Sequence, residues 1–190
     1  MNKLIILIIL ISGFVFSQET MLNIGSEKNE RLSTILKTDD GSFYVFGQRG
    51  NCDGALSPCN GSSQEDNIDP IIYKFNSNLE LEWSKEYQRE YIDAINSATI
   101  YNNHIYITGT TIVDFVGTNF TDRDFLVVKM DLEGNIIWSK RFGGVCNGTE
   151  TYCGDVANKI IINNDIIYIS GYYAFTGTAL YDAVILKLNL

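Results

Sequence analysis

Four cysteines, one histidine and 23 acidic side chains are the groups in this 190-residue chain from which chemistry could be built. The cysteines form two pairs of equal spacing, Cys52 with Cys59 and Cys146 with Cys153, with six residues between the members of each. Gly, Asn, Asp, Ser and Thr surround both pairs, which places them in loops. In an exported chain this favours two local disulfides, Cys52–Cys59 and Cys146–Cys153. A metal site is the competing reading, but zinc usually takes tighter Cys or His pairs, and His104 is far from both in sequence. A Ser or Cys nucleophile would need a histidine base, and His104 follows the turn Asn102-Asn103 at a strand start, a surface position. Paired carboxylates could serve a glycosidase. Asp93 and Asp155, however, fall at one repeat position, which favours a cap or turn role for both. Asp131-Leu132-Glu133-Gly134-Asn135 lacks the alternating acids of a calcium loop and is expected to be a hairpin turn. No catalytic residue, cofactor or metal ligand is expected.

The first residues bear on the compartment. Met1-Asn2-Lys3 gives a short positive start, and Leu4 to Phe16 an apolar run broken only by Ser12 and Gly13. A spanning helix takes about 20 apolar residues, and this run stops short in Val15-Phe16-Ser17. Residues 1–17 are therefore expected to be a signal peptide cleaved after Ser17, with an uncleaved N-terminal anchor as the alternative. Without Lys3 the net charge moves from −9 to −10. Nucleic acid is not an expected partner, because polyanion binding draws on clustered Lys and Arg and here they are scattered singly. The remainder, 18–190, is rich in Tyr, Phe and Ile with only two prolines in the whole chain. It is long and apolar enough to bury a core and holds no further spanning segment. The expected location is secreted or cell surface.

These groups sit on a repeat. Phe43-Tyr44-Val45-Phe46-Gly47, Ile105-Tyr106-Ile107-Thr108-Gly109 and Ile167-Tyr168-Ile169-Ser170-Gly171 fall in step at a spacing of 62 residues. A second module, Asp69 to Lys74, Asp124 to Lys129 and Asp182 to Lys187, reads Asp, four mostly apolar residues, then Lys. Trp83-Ser84-Lys85 and Trp138-Ser139-Lys140 follow the first two copies. Each segment is short and rich in β-branched and aromatic residues between turn residues, so each is expected to be a strand. Asp93–Ile100 and Asp155–Ile162 precede tight turns at Asn102-Asn103 and Asn164-Asp165, where the first copy has Asp40-Gly41. Four antiparallel strands per unit result. The expected class is all-β, with tandem four-stranded antiparallel blades forming a partial β-propeller of two blades plus most of a third.

The order Asp124 to Lys129, Gly134-Asn135, Trp138 with Lys140, Gly143-Gly144, Asp155 and Tyr168 to Gly171 resembles the SBBP family, β-propeller repeats of exported Bacteroidetes proteins. The resemblance covers most of residues 24–190. The first blade departs from it, with Asn76-Ser77-Asn78 at the turn and Glu86-Tyr87 lacking the glycines that follow. It implies a scaffold with no chemistry of its own. The sequons at Asn60, Asn119 and Asn147 are then expected to stay unmodified. The strand-then-Trp pattern also resembles quinoprotein dehydrogenases, which makes a fragment of a propeller enzyme the alternative.

The region 18–190 is expected to be incomplete, since a third Trp would fall near position 196, with the missing blades supplied by the rest of the protein. Residues 20–25, whose Ile24-Gly25 resembles Phe142-Gly143, are a candidate for the missing outer strand of the last blade. From the repeat Gly to its Asp the distances are 22, 15 and 11 residues, while the hairpin turns stay short. That variable side carries both cysteine pairs with Arg49, Asp53, Glu65, Asp66, Asp114, Asp122, Arg123 and Glu150, and it is the expected contact face for a protein or glycan. Tolerated insertions without a ligand would give the same pattern.

Overall fold

Strands make up most of what the computed structural model describes, residues 21–24, 29–50, 68–87, 94–116, 120–143, 153–174 and 181–190, and no helix occurs among them. In chain order they are β1 (Asn29–Lys37), β2 (Phe43–Gly50), β3 (Ile68–Phe75), β4 (Leu81–Glu86), β5 (Ala94–Tyr101) and β6 (His104–Val116). Then come β7 (Phe120–Met130), β8 (Ile136–Phe142), β9 (Cys153–Gly154), β10 (Val156–Asn163), β11 (Ile166–Ala174) and β12 (Tyr181–Asn189). Three open antiparallel sheets follow this order: β1-β2-β3-β4, β5-β6-β7-β8 and β10-β11-β12. The two-residue β9 adds a parallel pairing to the start of β7.

Local sequence explains the hairpins. Asn102-Asn103 have φ of 47° and 57°, and Asn164-Asp165 49° and 61°. Paired positive φ is the signature of a two-residue type I′ turn, and Asn and Asp tolerate it. The equivalent turn of the first sheet is longer: Gly41 takes φ 86°, and the Asp40 carboxylate accepts the Ser42 N–H at 3.0 Å.

The repeated glycine has a steric cause. The first strand of each sheet shifts register, between Leu32 and Thr34, Ile95 and Ser97, and Ala157 and Lys159. This bulge presses the carbonyl of Arg31, Ala94 or Val156 into the space that a Cβ on Gly47, Gly109 or Gly171 would fill. Only glycine lets the two backbones approach so closely.

The sheets stack face to face in chain order. Tyr44, Phe46 and Ile72 from the first meet Ile95, Ile105, Ile107, Leu126, Val128 and Met130 from the second in one buried cluster. Tyr106, Phe125 and Val127, from the opposite face of the second, meet Ala157, Ile160, Ile167 and Ile169 of the third. The middle sheet is therefore apolar on both faces, which is why its strands lack a clean polar alternation. Each large side chain so buried contributes about 1.5–3 kcal/mol.

Polar contacts fix how the sheets meet. At the first boundary the β7–β8 turn docks on the first sheet: Tyr44 Oη donates to Leu132 O (2.8 Å), Tyr87 Oη to Gly134 O (2.7 Å) and Lys85 Nζ to Asn135 Oδ1 (2.8 Å). At the second, Asn96, the extra residue of the β5 bulge, donates through Nδ2 to Ala157 O at 2.9 Å. An aromatic row repeats as well. Lys74 stands opposite both Tyr44 and Trp83, and Lys129 opposite both Tyr106 and Trp138. The two Tyr–Trp pairs meet edge-on at 5.9 and 6.3 Å.

Candidate functional site

Because every sheet is a meander, the tight turns gather at one end of the stack, and the strand ends leading into 51–67, 88–93, 117–119, 144–152 and 175–180 gather at the other. Of the residues proposed for that end, Asp53, Glu65, Asp66 and Glu150 lie outside the described residues, as do Cys52, Cys59 and Cys146. Cys153 has its backbone in β9. Arg49, Asp114, Asp122 and Arg123 fall in strands rather than loops. The distance from Gly109 to Asp124 is taken up mostly by β6 and β7 themselves, since Thr110-Thr111-Ile112-Val113 continues in residues that favour a pleated strand.

Arg49 sits near the end of β2, opposite Glu30 on β1 and Asp69 on β3. Its Nε donates to Glu30 Oε1 at 2.8 Å and its Nη1 to Glu86 Oε2 at 3.4 Å. Tyr73 Oη donates to the same Glu30 oxygen at 3.2 Å. The Glu30 side chain is only 7 % exposed. The hydrogen bond to Glu30 raises the Arg49 guanidinium above its ordinary range, and burial, followed by the Glu30 charge, raises the Tyr73 phenol. Arg49 thus ties β1, β2 and β4 together at the root of the 51–67 connection, and its charge is neutralised within the sheet. It acts as a strut and not as a free ligand-binding cation.

In the second sheet the backbone register sets Asp114 opposite Asp122, past a shift between Ile112 and Asp114. On the other edge of β7, Asp122 and Arg123 lie beside Cys153 and Gly154 of β9, and the Arg123 carbonyl accepts the Asp155 N–H at 2.8 Å. The chain leaving the second sheet is therefore clipped to it before it enters the third. Asp155 is buried, and Gly143 packs where a Cβ would collide with Asp124 Oδ1 and lie 2.9 Å from Asp155 Oδ2. Glu30, the second residue of β1, and Asp155, just ahead of β10, stand at matching distances from the bulge of their strands. Both are buried, as suits the cap or turn role expected of Asp155, while Asp93 lies outside the described residues.

His104 opens β6, and because a carbonyl only accepts, its Nδ1–H donates to Asn102 O at 2.7 Å, closing the hairpin. Among the described residues no group of three or more His, Cys, Asp or Glu is placed to hold a metal ion. No helix among them is long and apolar enough to cross a membrane.

Sequence reasoning passed over Glu30, Tyr73 and Glu86 as the partners of Arg49. The alignment of Glu30 with Asp93 and Asp155 was the available signal. No protein-family model and no curated protein matches this chain.

Proposed function

We propose that the three sheets belong to a β-propeller serving as an exported, non-catalytic scaffold, which binds a protein or a glycan through its long-connection end. One observation carries the reading: the connections at one end differ widely in length, while the turns at the other stay within five residues, Asp131 to Asn135 being the longest kind. A stack of ordered sheets with variable connections at one end is the usual arrangement for recognition. The Arg49–Glu30–Glu86 strut and the β7–β9 clip stiffen the base of two such connections. The test shortens residues 51–66 and, in a separate variant, replaces Asn76 to Asn78 at the opposite end. Binding to the producing cell's surface and to a glycan array is then measured. Loss from the first change alone is expected, and equal loss from both, or binding untouched by the first, overturns the reading. The same reading pairs Cys52 with Cys59 and Cys146 with Cys153. Non-reducing peptide mapping of the exported chain should recover those two cross-links, and four alkylatable thiols would remove them.

A further inference from the structure

No further inference is drawn: the strongest candidate, the carboxylates of Asp124 and Asp155 that close in on Gly143 where the second sheet hands over to the third, is an acidic cluster at which no second feature of the described residues points to a ligand.

Discussion

Ile72 in the first sheet and Ile185 in the third are each three residues past the Asp that opens the Asp-to-Lys module, yet one is fully buried and the other is three-quarters exposed. The β3–β4 and β7–β8 turns make a second such pair. Both close with the same two backbone hydrogen bonds, Asn76 N to Glu80 O and Leu79 N to Asn76 O in one, Asp131 N to Asn135 O and Gly134 N to Asp131 O in the other. Both need a left-handed fourth residue, and that residue is Leu79 (φ 63°) in the first and Gly134 (φ 77°) in the second. A Cβ on Gly134 would lie 2.8 Å from Tyr87 Oη and 3.0 Å from Trp83, because this turn docks on the preceding sheet. Leu79 lines an open groove instead. In a repeat protein the same local pattern acquires different constraints from whatever is stacked against it.

The sharpest test of that contrast is Gly109→Ala. It forces apart two backbones inside the middle sheet and is expected to cost about 3 kcal/mol or more, while Gly171→Ala in the third sheet should cost less, because β10 has an open face toward which it can yield. Chemical denaturation midpoints compare the two. Next, Ile72→Ala should cost about 2–5 kcal/mol, whereas Ile185→Ala, measured at high dilution, should stay within about 0.5 kcal/mol. Equal costs would mean that the third sheet is covered as fully as the first boundary. The turns follow: Gly134→Ala should destabilise by about 1–2 kcal/mol through its left-handed φ and the contact with Tyr87, and Leu79→Gly should stabilise by up to about 1 kcal/mol.

The smallest effect belongs to the tyrosines of the first boundary. Burial raises the phenols of Tyr44 and Tyr87 above their ordinary value of 10.0, Tyr87 far more than Tyr44. A group raised in the folded state adds stability that is fully present below its unfolded value and is lost as pH climbs through the folded one. Thermal stability should therefore hold to about pH 10 and fall above it. Tyr87→Phe should cost about 1 kcal/mol at neutral pH and flatten that alkaline fall. An unchanged alkaline profile would place the sensitivity in other tyrosines.

Much of this was legible from residues alone. Asn102-Asn103 and Asn164-Asp165 specify their turns through φ, and the step of 62 residues between Tyr44, Tyr106 and Tyr168 marks equivalent strands. Residues 21–24, expected as an outer strand from the likeness of Ile24 to Phe142, form no strand, although Ile24 packs on the first sheet as Phe142 packs on the third. The length of β6 and β7 is not legible, because the spacing from Gly109 to Asp124 carries no mark of where pairing stops, although Thr110 to Val113 has strand composition. The Arg49–Glu30 contact depends on register across a bulge, and a two-residue strand such as β9 has no periodicity to detect. Burial at Ile185 is set by a neighbour rather than by its own strand, so no local pattern could report it.

The aromatic row gives the molecule two separate optical probes. Trp83 and Trp138 are its two tryptophans, and they sit at different boundaries, one in the cluster between the first and second sheets and one between the second and third. Each is edge-on to a tyrosine that can pass excitation to it, and each lies under its own lysine, Lys85 at 5.7 Å and Lys140 at 5.1 Å. Variants retaining one tryptophan would therefore follow one seam apiece during unfolding. Three side-chain hydrogen bonds cross each seam, those of the docked β7–β8 turn at the first and those of Asn96, Tyr101 and Ser97 at the second, but the third sheet has three strands against four, so emission from Trp138 should change at lower denaturant than emission from Trp83. Coincident curves would mean that the stack comes apart as one cooperative unit.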